Sequence, residues 1–283
     1  LSTQVIETGP VRSVVRVRSH YPDASSPTSF FAQDIILYQG LDRIDFQLKA
    51  DYQEKFTMLK VAFPLAVTDT VATFEIPYGT MQRPTGRTTS WHKARFEVPA
   101  LQWADLSDAN YGVSLLNRAK HGYDVNGRVM RLSLLRTPPW ARFPVDVTDL
   151  DQHVMDYALY PHSGDCRQAN SAQQGYNYNQ PLLAVANAIH KGPLPAEHSF
   201  VHLDKDNLIL TSIKKALHSD AWVIQWYESQ GRDSEAVLSL PGQPRQVFVS
   251  NILEENVKPL KPEGARVRIF CKKHSLTTIK IHF

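Results

Sequence analysis

The chain has 283 residues, of which 42% are hydrophobic and 21% are charged, and its formal net charge is +3. This composition is that of an ordinary globular protein with enough apolar residues for a sizeable core. No apolar run approaches the roughly 20 residues that cross a bilayer, and the basic residues are mixed with acidic ones. We therefore expect a soluble protein that binds neither membrane nor nucleic acid.

The first residues have the pattern of a strand and not that of a targeting segment. The stretch 1–18 starts at Leu1 and alternates Val with polar residues. This is neither the charged-then-apolar pattern of a signal peptide nor an amphipathic transit helix. A start in the middle of such a pattern predicts a fragment of a longer chain.

Alternation of apolar and polar residues predicts further strands, because successive side chains of a strand point to opposite faces of the sheet. The first predicted strands are 11–18, 31–38, 42–49 and 58–63. A hairpin is predicted at 38–42. A stronger one is predicted at 124–128, where Asn126 and Gly127 suit the two central positions of the turn and a strand follows to Leu135.

Helical patterns are scarce, and only the segments 169–174 and 184–190 are predicted as short helices or turns. Gly and Pro residues at 192–195 indicate a domain boundary. Beyond it the pattern predicts strands at 208–213, 221–227, 235–240, 246–250, 267–270 and 277–283. The predicted fold class is all-β, with a large domain over 1–192 and a small β-sandwich over 193–283.

The two cysteines, Cys166 and Cys271, are too few for a disulfide scaffold and match no zinc-ligand spacing. The sequence also lacks an Asn-x-Ser/Thr glycosylation site. These features predict free thiols and a reducing, cytoplasmic location.

One string, His202-Leu203-Asp204, has the His-x-Asp form of a metal site, but Lys205 and a strand-like run follow it, so a polar strand or the entry to a turn is the favoured interpretation. His198 and His202 would pair on a helix as zinc ligands, whereas the residues between them favour an extended chain. The carboxylate pairs 149/151 and 204/206, and the segment 161–165 with His162, are interpreted as turns. The residues therefore predict neither a catalytic nor a metal-binding group.

Several short motifs occur in a consistent order and spacing. They are Gln-Asp-Ile-Ile-Leu-Tyr at 33–38, Leu-Lys-Val-Ala-Phe-Pro at 59–64, Phe-Glu-Ile-Pro-Tyr-Gly at 74–79, Tyr-Gly-Val-Ser-Leu-Leu-Asn at 111–117, His-Gly-Tyr-Asp-Val at 121–125 and Tyr-Ala-Leu-Tyr-Pro-His at 157–162. Together they resemble the region that follows the catalytic domain in glycoside hydrolase family 38, the α-mannosidases.

The resemblance implies a large β-super-sandwich like that of galactose mutarotase, followed by a small sandwich. It also implies a C-terminal accessory portion of a retaining α-mannosidase, which is inactive alone and completes the substrate cleft. Catalytic carboxylates and a divalent metal, with zinc as the expected ion, would then belong to the N-terminal catalytic domain of the same polypeptide. The expected ligand is a mannose-containing oligosaccharide, and the resemblance leaves a homo-oligomer open.

The same resemblance points to substrate contacts in the segment from Glu75 through Tyr78 to Arg83, and at Arg136. Gly and Pro residues around 77–84 suggest an exposed loop. A guanidinium can donate to sugar hydroxyls through its rigid fork, and an aromatic ring can stack on a pyranose. The competing interpretation is structural, since Arg136 could pair with a carboxylate at a strand end and Tyr78 could pack beside the prolines.

Two other function classes stay open at this point. A mutarotase-like enzyme would need a His or Glu acid/base pair in a concave sheet face. A stand-alone carbohydrate-binding module would bind sugar without any further domain. Fold alone does not decide between them.

Overall fold

A computed structural model describes residues 1–21, 28–138 and 148–283 of the chain. These residues form two compact units. The first contains 1–76 and 81–180, and the second contains 77–80 and 181–283. Both are built mainly of antiparallel β-sheet, so the all-β prediction is confirmed.

The larger sheet of the first unit contains, within the described residues, nine strands. They are β1 (Ser2–Thr8), β2 (Arg12–Tyr21), β3 (Ser29–Tyr38), β4 (Ile44–Tyr52), β6 (Val71–Ile76), β7 (Gly79–Pro84), β9 (Trp103–Ser107), β10 (Tyr111–Asn117) and β13 (Asp151–Ser163). Their order across the sheet is β1-β2-β3-β4-β13-β10-β9-β6-β7. The predicted strands 11–18, 31–38 and 42–49 correspond to β2, β3 and β4, and β3 and β4 form the predicted hairpin.

A smaller sheet lies in the same unit. Its described strands are β5 (Met58–Pro64), β8 (Val98–Pro99), β11 (Gly122–Asn126) and β12 (Val129–Arg136), in the order β5-β12-β11-β8. The predicted hairpin between β11 and β12 is present, but its turn is shifted by one residue. Asn126 pairs with Val129, so Gly127 and Arg128 are the central residues. Gly127 has a φ of 57°, which suits a hairpin turn with Gly at its first central position.

The core of the first unit consists of buried side chains from both of its sheets. Leu106, Leu115 and Tyr157 come from the larger sheet, and Met130 and Leu132 from the smaller one; each is at most 1% exposed. Aromatic rings pack within this core, where Tyr157 stacks on Phe46 with ring centroids 5.1 Å apart. The alternating pattern of the sequence therefore identifies the faces that the two sheets bury.

Two helices are present among the described residues, α1 (Ser90–Ala94) and α2 (Ser171–Asn179). Helix α2 coincides in part with the predicted segment 169–174. It packs on β9 at Gly175, where a Cβ atom would lie 2.6 Å from Cδ1 of Trp103, so this close approach requires glycine. In the part of the chain that the structure describes, no helix has the length and apolar character needed to cross a bilayer.

The second unit contains two sheets of short strands. These are β14 (His202–Leu203), β15 (Leu208–Lys215), β16 (Trp222–Glu228), β17 (Ser234–Ser239), β18 (Gln246–Ser250), β19 (Asn256–Leu260), β20 (Pro262–Glu263), β21 (Arg266–Cys271) and β22 (Leu276–His282). One sheet has the order β14-β17-β21-β20 and the other β15-β16-β22-β18-β19. All six strands predicted beyond the boundary are present. The short strand β14 lies where the sequence favours an extended chain, whereas β19 and β20 were not predicted.

The second unit has its own core, to which both of its sheets contribute. Trp226, Ile279 and Ile281 from one sheet lie in a single cluster with Leu238 and Val267 from the other, and none of the five is exposed. Burying an aliphatic side chain of this size stabilises a fold by roughly 1.5–3 kcal/mol. The sequence pattern of this region therefore produces a small β-sandwich.

The segment 181–200 at the start of the second unit is exposed throughout and contains no strand or helix. The predicted domain boundary at 192/193 falls inside it, and the prediction of a short helix or turn at 184–190 is wrong. A helix of seven residues is unstable unless one of its faces packs on a surface. Ile189, for example, is fully exposed.

Candidate functional site

A cavity of about 160 Å³ lies in the first unit between β7, α1 and the smaller sheet. Its lining includes the basic side chains Arg83, Arg87, His92 and Arg95, and it is named here the Arg83 cavity. Apolar residues, among them Phe74, complete the wall. One of the predicted site residues, Arg83, is thereby part of a concave and basic site.

Arg83 is held over the ring of Phe74, with Cζ 5.8 Å from the ring centroid. Its Nε atom is buried and makes no hydrogen bond to any residue that the structure describes. Buried donors in proteins almost always have a partner. The guanidinium therefore carries hydrogen-bonding capacity that the described part of this chain does not use.

Asp124, the carboxylate beside this cavity, is saturated by cations. Arg87 Nη2 lies 2.5 Å from Oδ1, Arg131 Nη1 lies 3.2 Å from Oδ2 and Lys60 Nζ lies 4.0 Å from Oδ2. These residues come from four separate segments of the first unit. Asp124 thus fixes Arg87 at the cavity wall and leaves its own charge neutralised.

Tyr78 occupies the two-residue turn Pro77–Tyr78 between β6 and β7 and is 51% exposed. Its φ of 57° is left-handed, which costs a residue with a Cβ roughly 1–2 kcal/mol. Residues 77–80 belong to the second unit, where the Tyr78 ring meets Tyr227 edge-on with centroids 6.0 Å apart. Strained and exposed residues of this kind cluster at ligand sites.

Glu75 does not lie in an exposed loop, and that part of the prediction is wrong. It is the fifth residue of β6 and is only 3% exposed, on the strand face opposite Phe74. Its Oε2 accepts a 2.6 Å hydrogen bond from the Gln102 backbone N–H. The connection between β6 and β7 is only two residues long, so the strand extends past Glu75. Contact of Glu75 with substrate stays a prediction.

We expect the stability of the first unit to depend on pH through Glu75. Burial raises the pKa of this carboxyl from 4.5 to about 7. Hydrogen bonds from N–H groups of Gln102 and Trp103 act in the opposite direction and lower the pKa, but burial has the larger effect. The folded state then holds a proton that the unfolded state has lost, so stability falls as pH rises from about 4.5 to about 7. At about 1.4 kcal/mol per unit, the loss is roughly 3 kcal/mol.

The measurement is urea unfolding of the chain at pH 5 and pH 8, compared with Glu75→Gln, which keeps an acceptor but cannot ionise. The variant should lose about 2.5 kcal/mol less than the parent between the two pH values, because the unfolded carboxyl is already partly ionised at pH 5. Equal pH dependence in the two proteins would show that Glu75 is not the responsible group.

Arg136 ends β12 and is exposed. Its backbone N–H donates to Oδ2 of Asp149 at 2.9 Å, and the side chain borders a second cavity of about 260 Å³ that Glu97 and Ser133 also line. Among the described residues, no carboxylate lies within ion-pair distance of its guanidinium. The expected pairing at the strand end is therefore made by the backbone and not by the charged group.

A buried polar network lies on the α2 side of the larger sheet. Asp105 is 1% exposed and accepts hydrogen bonds from Ser107, Ser114 and His162 Nε2 at 2.6, 2.7 and 2.8 Å. The Ser114 hydroxyl also lies 2.7 Å from that of Ser171, the first residue of α2. The sequence interpretation placed His162 in a turn, whereas it lies in β13 and faces Asp105.

The residues considered as metal ligands lie elsewhere. His202 is exposed in β14, and Asp204 accepts the Val237 backbone N–H at 2.8 Å. Among all described residues, no group of three or more His, Cys, Asp or Glu side chains is arranged to hold a metal ion. The His, Cys, Asp and Glu side chains of the described residues therefore do not fit a resident divalent metal.

The structure brings Arg83 together with Arg87, His92 and Arg95, which the sequence interpretation did not select. The density of Arg and His between 83 and 95 was the available signal. Glu75 lies on the opposite strand face, and Arg136 borders a separate cavity. The four predicted residues do not form one site within either unit. Their contact with substrate stays a prediction.

Comparison with known proteins gives two family matches. Residues 2–144 match the family model "Glycosyl hydrolases family 38 C-terminal domain", and residues 207–282 match "Glycosyl hydrolases family 38 C-terminal beta sandwich domain". The ranges correspond to most of the first unit and to the sandwich of the second.

Similar proteins include alpha-mannosidase G of Dictyostelium discoideum, which is 35% identical over 89% of this chain and 23% of its own length. Human alpha-mannosidase 2C1 is 36% identical over 81% of this chain and 22% of its own length. The chain thus spans less than a quarter of these relatives. A crystal structure of an alpha-mannosidase from Enterococcus faecalis has the same fold, with a TM-score of 0.84 at 16% identity over 99% of this chain and 35% of that one.

Proposed function

The chain belongs to glycosyl hydrolase family 38, and from that membership we propose that it is the C-terminal accessory portion of a retaining α-mannosidase. In this proposal the catalytic carboxylates and the divalent metal, with zinc as the expected ion, belong to the rest of the polypeptide. The portion described here stabilises that catalytic part and completes the cleft in which α-linked mannose binds.

The observation that carries the stabilising role is the exposed aliphatic run at the start of the second unit. Leu182, Leu183, Val185 and Ile189 are 86–107% exposed. Soluble proteins expose single apolar residues commonly, whereas a continuous apolar stretch marks an interaction site. Relatives about four times as long as this chain supply a partner, namely the remainder of the same polypeptide.

Two exposed side chains support a role in the cleft. Tyr78 presents half of its ring to solvent from a strained turn, and Arg136 has a guanidinium without an ionic partner among the described residues. An aromatic face and a forked donor are the groups that sugar sites combine. Substrate contact by both residues is part of the proposal.

The direct experiment compares hydrolysis of nitrophenyl α-mannoside by the intact enzyme and by the 283-residue chain. Turnover is expected from the intact enzyme and absent from the chain. Turnover by the chain alone would overturn the accessory role. Saturable mannose binding or glucose mutarotation by the chain alone would support a stand-alone sugar-binding or mutarotase-like domain instead.

Substitution of Tyr78 tests the cleft in the intact enzyme. Tyr78→Gly removes the ring and relieves the left-handed backbone strain, so the fold should keep its stability. We expect KM to rise about tenfold, equivalent to about 1.4 kcal/mol of lost binding. Tyr78→Phe keeps the ring and should stay within about twofold of the parent. An unchanged KM in Tyr78→Gly would exclude stacking on the sugar.

We also propose that the protein is cytoplasmic. Cys166 and Cys271 are both free and buried, one in each unit, which supports a reducing compartment. Fractionation of cells that express the intact protein would test this location.

A further inference from the structure

The Arg83 cavity has more positive charge than the described residues neutralise. Asp124, the acidic residue in its described lining, already contacts Arg87, Arg131 and Lys60. Neither Arg83 nor Arg95 lies within ion-pair distance of a carboxylate in the described ranges. Arg95 instead lies over the Trp91 ring, with Cζ 5.8 Å from its centroid.

The orphan donor of Arg83 adds an independent observation. Its Nε is buried within the unit and lacks a partner in the described residues, and the Arg83 side chain lines an open volume of about 160 Å³. A volume of this size holds on the order of ten waters, so a small ion fits. The two terminal nitrogens of a guanidinium form a fork that matches a carboxylate or phosphate group in two parallel hydrogen bonds.

Two buried carboxylates among the described residues, Asp105 and Glu228, do not point to a ligand in this way. The Asp105 network satisfies its carboxylate internally, and the Glu228 carboxylate in the second unit accepts three backbone N–H groups and the amide of Asn207. The Arg83 cavity combines free volume, unneutralised charge and an unused buried donor.

We propose that the Arg83 cavity binds an oxyanion, either a free phosphate or carboxylate or the same group on a larger ligand. The Arg83 fork binds the oxygens, Arg95 contributes long-range attraction, and the Asp124 cluster holds Arg87 beside them. Phe74 forms the apolar floor under the Arg83 guanidinium. This site is a property of the first unit and does not depend on the proposed glycosidase role.

Calorimetric titration of the 283-residue chain tests the proposal, with inorganic phosphate and acetate as probes and mannose as the neutral comparison. At least one anion should bind saturably, and its affinity should fall as NaCl is raised, because the attraction is ionic. Saturable binding of phosphate alone, or of acetate alone, identifies which oxyanion the site prefers. Absence of binding by both, or binding of mannose alone, would overturn the proposal.

Variants connect the binding to the cavity. Arg83→Gln should weaken anion affinity at least about tenfold, since it removes a charge-assisted fork. Arg83→Lys keeps the charge without the fork, and its anion affinity should lie between those of the parent and Arg83→Gln. Arg266→Gln makes the same charge change at an exposed position of the second unit and should leave affinity unchanged. Equal weakening by Arg83→Gln and Arg266→Gln would reveal non-specific charge attraction and refute the site.

A check of folding keeps the variants interpretable. Urea midpoints of all three are measured beside the parent. If Arg83→Gln unfolds the first unit, anion-dependent protection of the parent replaces it as the measurement. Phosphate or acetate should then raise the unfolding midpoint of the parent chain, with the larger rise from the anion that binds more tightly, and mannose should not. No change with either anion would refute the site by this second route.

Discussion

Replacing Leu182, Leu183, Val185 and Ile189 together by Ser is expected to destabilise the intact enzyme and to leave the 283-residue chain unchanged. In this chain the four side chains are 86–107% exposed, so they contribute no burial to its fold, and their removal should not change its free energy of unfolding. Against the remainder of the polypeptide, each buried aliphatic side chain should contribute roughly 1.5–3 kcal/mol. The interface would lose about 6 kcal/mol or more.

The effect is measured as the half-life of the proposed mannosidase activity at elevated temperature, since large multidomain proteins commonly unfold irreversibly. The half-life of the quadruple variant should fall sharply at a temperature that the parent survives. The matched control is the same variant in the 283-residue chain. Its free energy of unfolding in urea should change by less than about 0.5 kcal/mol. An unaffected intact enzyme would show that the stretch is free in the whole protein as well.

Asp105→Ala is expected to destabilise the first unit by about 3–5 kcal/mol, the cost of removing one partner of a buried charged network. The substitution leaves the hydroxyls of Ser107 and Ser114 and the imidazole of His162 without their acceptor, at a site that is 1% exposed. An unsatisfied buried donor costs roughly 1–3 kcal/mol. Asp105→Asn retains an acceptor oxygen and should cost less than Asp105→Ala.

Hydrogen exchange resolves this effect by unit. Amides of β9 and β10 should lose protection in Asp105→Ala, whereas those of β16 serve as the internal control because the second unit has its own core. Protection lost equally in both units would mean that the two unfold as one cooperative body. If the free energy of opening of the β9 amides falls by less than about 1 kcal/mol, the role assigned to Asp105 is contradicted.

Local patterns in the sequence predicted most of the strands, since the period of two follows from the pleat itself. Strand β18 has the predicted limits, and β2 to β5 differ from prediction mainly at their ends. The turn at Gly127 was found from the Asn-Gly pair, yet its register depends on which residues of β11 and β12 pair. That choice is made by packing across the sheet, which no local pattern contains.

The candidate site was less predictable for the same physical reason. Arg83 was selected from its neighbourhood of Gly and Pro residues, but its cavity also needs Asp124, Arg87 and the Phe74 ring, which the fold assembles. Asp105 and His162 are 57 residues apart in the chain, so their contact could not be inferred from spacing. Glu75 was interpreted as a loop residue because Gly and Pro residues lie close to it, whereas β6 continues to Ile76 and the turn that follows has only two residues.

The two buried thiols give each unit its own chemical reporter. Burial raises the pKa of Cys166 to about 12 and also raises the pKa of Cys271, and only a thiolate attacks an alkylating reagent. Alkylation at neutral pH therefore proceeds through transient opening of the surrounding structure. The labelling rate at Cys166 follows opening of the first unit and that at Cys271 opening of the second. Mass spectrometry of the two alkylated peptides can therefore measure the opening of each unit separately, with no cysteine introduced by mutation.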